Sequence, residues 1–107
     1  PRAVGIFGYS FLEENGDKVQ GAEIDGVSPT FDTIADGSYP VSRPLYFYIK
    51  AAHLGKIPGI QEYAIEFASN KAMGEDGYLP ERGLIPLADD ELKKVQAAVK
   101  AMTPMKM

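Results

Sequence analysis

Eleven glycines and eight prolines divide the 107 residues into short pieces. Glycine costs backbone entropy in a regular element and proline removes an N–H donor, so each piece between them has room for one short helix or strand. Two stretches, 60–73 and 87–103, are free of both and long enough for ordinary helices. From Pro58 onward Ile60, Tyr63, Ala64, Phe67 and Ala68 recur at helical spacing, with Gln61, Glu62, Glu66 and Asn70 on the other side. Leu92, Val95, Val99 and Met102 form a similar stripe from about Asp89 to Met102, and Pro104 prevents continuation. Asp89 with Lys93 and Asp90 with Lys94 are spaced for i,i+4 ion pairs of about 0.3–0.5 kcal/mol each.

The earlier pieces read as a mixture. Ala3 to Phe7 is a short buried strand, followed by a turn or so of helix over Phe11 to Asn15, with Ser10 as N-cap and Gly16 as stop. Lys18 to Ile24 alternates like a strand and is closed by the turn pair Asp25-Gly26. Ser28-Pro29 is a helix-start signal, Phe31, Ile34 and Ala35 supply an inner face, and Gly37 ends that helix. Ser38-Tyr39-Pro40 is a connector. Arg43 to Ala52, rich in aromatic residues, is the strongest strand, with Pro44 confined to its start or to an edge. Gly74 to Pro86 is irregular. The fold class is therefore α/β, with mixed short strands and about three to four helices. A first residue that is not Met, already at the edge of a buried strand, leads us to expect the second half of a longer chain.

Composition narrows the function. A net charge of −4 without a basic stripe argues against nucleic acid and anionic membranes as partners. The absence of cysteine removes disulfides, thiolate metal sites and thiol nucleophiles. The one histidine, His53, has no second metal ligand near it in sequence. Glu13-Glu14 and Asp89-Asp90-Glu91 lie near helix starts, where the backbone dipole favours negative charge. Neither a catalytic constellation nor a cofactor or metal set emerges, and we expect no enzyme. Three residues could meet an oxyanion: Gly8 in a strand exit rich in backbone N–H groups, and Ser42 with Arg43, a hydroxyl beside a forked cation. Each has a structural alternative, Gly8 as a turn position and Arg43 as an ion-pair partner for another segment.

Three stretches together, "RAVGIFGYSFLEENGDKVQGAEIDGVSPT", "ADGSYPVSRPLYFYIK" and "PLADDELKKVQAAVKAM", resemble the C-terminal part of PstS-like phosphate-binding proteins, the substrate receptors of phosphate ABC importers. The most specific pieces are the Gly-x-Phe-Gly-Tyr run from Gly5 to Tyr9 and the run Tyr39-Pro40-Val41-Ser42-Arg43-Pro44-Leu45. The resemblance implies the C-terminal part of a two-lobed type II periplasmic binding-protein fold. Residues 1–40 would be the tail of the second lobe and residues 41–107 would complete the first, with the hinge at Ser38, Tyr39, Pro40 and Ser42. It also implies phosphate as ligand of the full-length protein, transporter membrane subunits as partners, and a periplasmic or extracellular location with the signal sequence upstream.

The family supplies its phosphate ligands chiefly from the N-terminal half, including a Ser-Gly-Thr segment that is absent here, so no ligand residue carries over. Relatives often cap the last helix with serine where this chain has Ala88, a loss of about 1 kcal/mol of helix stability. The alternatives are a receptor-like interaction domain without ligand binding and a hydrolase of phosphate esters, the latter disfavoured by the single histidine. Leu45 to Ile49 is the edge most prone to pairing, so homo-oligomers or strand exchange are expected.

Overall fold

The computed structural model describes residues 2–105. Pro1 and the last two positions of the expected 41–107 segment lie outside them. The chain divides into two compact units, Pro1–Arg43 and Pro44–Met107.

The first unit contains two short helices, α1 (Tyr9–Glu14) and α2 (Phe31–Ala35). Helix α1 begins earlier than its sequence suggests, because the Gly8 carbonyl accepts the amides of Phe11 at 3.1 Å and Leu12 at 3.4 Å. Gly8 is thus the N-cap, and Ser10 lies inside the helix. Helix α2 begins later than Ser28-Pro29 suggests. Thr30 is its N-cap: the Thr33 amide donates to the Thr30 hydroxyl at 3.2 Å, and the Thr30 amide donates to Thr33 Oγ1 at 2.9 Å. This reciprocal box satisfies two donors and outcompetes a lone serine cap. Ser28 instead donates its hydroxyl to Glu23 at 2.8 Å, and its carbonyl accepts the Thr33 hydroxyl at 2.7 Å. Gly37, with φ +77°, follows the helix as expected.

Asp25 and Gly26 form the expected turn. Both have positive φ, and Ile24 and Val27 exchange two backbone hydrogen bonds of 3.0 Å across it. This bridge is the whole β content among the described residues.

The strands expected at Ala3 to Phe7, Lys18 to Ile24 and Arg43 to Ala52 are therefore not formed, and in place of the expected mixed short strands the described residues show helices joined by turns and irregular segments. A strand exists only through its ladder partner, and none of these segments finds one. Val4 and Ile6 consequently stand 94% and 101% exposed. The end of the third segment folds back as a 3₁₀ turn over Ala51–His53.

The second unit holds the helices read from the two long stretches, α3 (Ile60–Phe67) and α5 (Asp89–Ala101), which pack on each other. Between them lies α4 (Asn70–Met73), which the sequence reading did not separate from α3. Ser69 makes the break: its hydroxyl donates to the Glu66 carbonyl at 2.6 Å and accepts the Ala72 amide at 3.3 Å, closing one helix and opening the next. The buried apolar side chains are Ala64, Ala68, Ala72 and Leu92, so small residues let the helices approach and Leu92 fills the space between. Tyr63, expected on the inner face, is exposed and stacks alongside Phe67, with ring centroids 6.4 Å apart.

On α5 the expected i,i+4 pairs give way to Glu91 and Lys94, one turn apart at i,i+3 and 2.6 Å. Ala88 caps this helix without a side-chain bond, and Met102 ends it in the left-handed region at φ +49°. Gly77 is buried, and a Cβ there would collide with the backbone carbonyls of Ala72 and Gly74, which lets the loop after α4 turn tightly.

Candidate functional site

The residues singled out as hinge share one turn at the end of the first unit. The Ser42 amide donates to the Tyr39 carbonyl at 2.9 Å, enclosing Pro40 and Val41. Upstream, the turn is fastened to α2 and to the loop before it. The Tyr39 amide donates to the Thr33 carbonyl at 2.8 Å, and the Tyr39 hydroxyl reaches the Ala22 carbonyl at 3.0 Å. Ser38 is held by its amide, which donates to Asp36 Oδ1 at 2.8 Å. Its hydroxyl is only loosely tied to the Thr33 carbonyl, at 3.4 Å.

The sequence reading missed Asp36. The pattern Asp-Gly-Ser, an aspartate accepting from the backbone two residues on, was the available signal. Ser38, through its nearby hydroxyl first and its donating amide second, holds the Asp36 carboxyl below its ordinary value of 3.8, against an opposing effect of desolvation. A lowered folded-state value means that this contact adds stability above the unfolded value and loses it as pH falls through the folded one. We therefore expect an NMR titration to show the Asp36 carboxyl protonating below pH 3.8, with the Ser38 amide shift following the same inflection. Inflection at or above 3.8 would show that the turn does not favour the carboxylate.

The oxyanion candidates lie on separate local features of the first unit. Gly8 sits at the N-cap of the six-residue α1 with its carbonyl engaged by the helix. Ser42 is half-buried in the turn, and Arg43 is exposed without the expected ion pair among the described residues. No hydrogen bond links Gly8 to either. His53 ends the 3₁₀ turn on the surface, its amide donating to the Lys50 carbonyl at 2.9 Å. Among the described residues, no three His, Cys, Asp or Glu side chains converge on a point where a metal could sit, and no helix is long and apolar enough to cross a membrane.

Each unit carries a depression. The first, about 550 Å³ and widely open, runs past Leu12, Val19, Gly21 and Pro29. The second, about 300 Å³, is bounded by Ile65, Ser69, Asn70, Gln96 and Val99. There the Gln96 amide nitrogen donates to the Ala68 carbonyl at 3.0 Å and to Asn70 Oδ1 at 2.7 Å, so its polar groups serve the packing of α5. Neither depression is lined by Gly8, Ser42 or Arg43.

The turn closes at Ser42, one residue before the boundary between the two units at Arg43 and Pro44. Residues 2–71, which contain all of it, match the family described as the PBP superfamily domain. The chain belongs to that family. It is similar to the phosphate-binding protein PstS of Staphylococcus haemolyticus, 36% identical over an alignment of 103 positions that covers 87% of this chain and 31% of the relative. The PstS of Staphylococcus saprophyticus is 40% identical over 67 residues, 58% of this chain and 21% of the relative. That of Staphylococcus aureus is 35% identical over 97 residues, 81% and 29%. The chain thus spans about a third or less of the length of these curated relatives. No solved structure matches it.

Proposed function

We propose that this chain is part of a phosphate-binding receptor of an ABC importer, in which it supplies framework and the crossing between lobes. Residues 1–40 form the tail of the second lobe, and residues 41–107 complete the first. The observation that carries this reading is the family match across residues 2–71, together with 36% identity to a phosphate-binding protein over most of the chain. The connector supports it physically. Lobe closure needs a few backbone positions that absorb rotation between well-held ends. Ser38 and Tyr39 are held to α2 and Ala22 on one side, and Phe47 packs on Phe67 at 4.6 Å on the other. Between them the Ser42-to-Tyr39 bond is the single backbone hydrogen bond.

In this reading the groups that dehydrate and hold phosphate come from the rest of the receptor, and Gly8, Ser42 and Arg43 lie outside that shell. Binding and release involve no covalent step, so the chain has no enzymatic role. The receptor works in the periplasm or outside the cell and delivers phosphate to the transporter's membrane subunits.

The test is a calorimetric titration of phosphate into this chain alone and into the Staphylococcus haemolyticus relative carrying this chain in place of its matching segment. We expect no saturable heat from the chain alone and phosphate binding by the chimera. A chimera that folds but ignores phosphate would overturn the reading. Saturable binding by the chain alone would move the site to Gly8, Ser42 and Arg43.

A further inference from the structure

The chain has two asparagines, and one of them, Asn15, is followed by glycine. Asn15 closes α1, and both of its nitrogens serve one acceptor. Its backbone amide donates to the Phe11 carbonyl at 3.1 Å, and its side-chain Nδ2 donates to the same oxygen at 3.0 Å. The Asn15 carbonyl in turn accepts the amides of Lys18 at 2.9 Å and Val19 at 3.0 Å, which holds ψ at 26°. The Gly16 amide has no backbone acceptor among the described residues.

From this arrangement we infer that Asn15-Gly16 is a deamidation site and that the reaction releases the end of α1. The Gly16 nitrogen, its proton taken by hydroxide, attacks Cγ of Asn15. The Cγ–Nδ2 bond breaks, and ammonia leaves with a proton from water. The resulting five-membered imide takes up one water across either of its two ring C–N bonds, which yields aspartate by one route and isoaspartate by the other. In sum, one water is consumed and one ammonia released, without oxidation or reduction. Glycine permits the attack because no Cβ stands beside the nitrogen. At ψ 26° that nitrogen lies nearly anti to Cβ, so the bonds to Lys18 and Val19 must open first. They adjoin a six-residue helix with no buried residue, which opens readily. Glu13 to Lys18 carries four charges in six residues, which keeps water at the site.

The product cannot resume the cap. A carboxylate only accepts hydrogen bonds, so the side-chain donor to Phe11 is lost. A new negative charge also stands at the C-terminal end of α1, beside Glu13 and Glu14, where the helix dipole disfavours it. Isoaspartate further adds a carbon to the backbone and shifts the register of the bonds to Lys18 and Val19. The change therefore runs one way. None of this rests on the receptor reading.

Peptide mass spectrometry of the full chain, after incubation in mildly alkaline buffer at body temperature, tests the inference. The mass gain of NH2 replaced by OH, with a separately eluting isoaspartate form, is expected at Asn15, at a rate that rises with pH. Asn70 is a control within the same molecule: it lies in α4, precedes Lys71, and its Oδ1 accepts from Gln96 at 2.7 Å. It should stay intact while Asn15 converts. Gly16→Ala should slow the reaction about tenfold or more. A Cβ at Gly16 meets only the Leu12 carbonyl, at 3.7 Å, an ordinary contact that keeps the turn. In Asn15→Asp the backbone carbon chemical shifts of Tyr9 to Glu14 should move toward coil values. Equal conversion of Asn15 and Asn70, equal rates in the parent chain and Gly16→Ala, or helical shifts retained in Asn15→Asp overturn the proposal.

Discussion

Replacing Leu92 with alanine should destabilise the second unit by about 2–4 kcal/mol, read as a loss of unfolding midpoint in denaturant followed by the helical circular dichroism signal. Leu92 is the one large side chain among the buried apolar residues; its companions there are Ala64, Ala68 and Ala72. Three alanines bury little surface each, so the contact between α3 and α5 rests on this leucine to an unusual degree. Truncation removes the transfer free energy of the lost methyls and leaves a cavity that two helices meeting through small residues can close only in part. Small domains have only a few kcal/mol in hand, so this loss should leave a substantial fraction of the unit unfolded at ordinary temperatures. Leu92→Met, which keeps the volume, should cost under about 1.5 kcal/mol. Equal midpoints for Leu92→Ala and the parent would show that the helices are held together elsewhere.

Amide hydrogen exchange should separate the two units by orders of magnitude. None of the described residues in 2–43 is buried, and α1 and α2 are six and five residues long. Isolated helices shorter than about 12–15 residues are marginal in water unless an apolar face is packed, and here no such packing excludes solvent. We expect amides of α1 and α2 to be protected about tenfold or less, against about a thousandfold or more in the middle of α5. The Thr30–Thr33 box, the Ile24–Val27 bridge and the Tyr39 contact to Ala22 give the first unit a definite conformation, but each is an exposed bond of modest net worth. Protection in α1 equal to that in α5 would mean that the first unit is stabilised by contacts beyond its own.

The sequence was most informative where an element carries its own partners. Helices close their hydrogen bonds within a few residues, so the stripe through Leu92, Val95 and Val99 located α5 to within a residue or two, and the stripe through Ala64 and Ala68 located the start of α3 but not its end. The Asp25-Gly26 turn was legible for the same reason, since positive φ at both positions is a local demand. The three strands were not legible as structure, because the residues that favour a strand do not supply the one it must pair with. Ser28 lost the cap of α2 to Thr30 through a hydroxyl at Thr33, a partnership that a search for the residue preceding proline overlooks. Ser69 broke a continuous helical pattern because its hydroxyl served two backbone groups at once.

The candidate site divides along the same line. The connector Ser38-Tyr39-Pro40 was legible from its residues, its extension to Ser42 came only with the family resemblance, and Asp36 became visible only with its bond to the Ser38 amide. Gly8, Ser42 and Arg43 each have chemistry suited to an anion, and residue type alone does not say whether three groups meet at one point. Convergence is a long-range property, whereas Gly8 spends its carbonyl on α1 and Ser42 its amide on the turn.

The clasp made by Gln96 has a kinetic meaning. The carbonyl of Ala68, at the corner where α3 gives way to α4, finds its side-chain donor 28 residues further on. Individual helices form in about 0.1–1 μs, but a corner completed from so far along the chain must wait for the intervening loop to close. The second unit therefore acquires its fixed geometry late, with the arrival of α5 as the event that packs the short helices α3 and α4 and completes the corner.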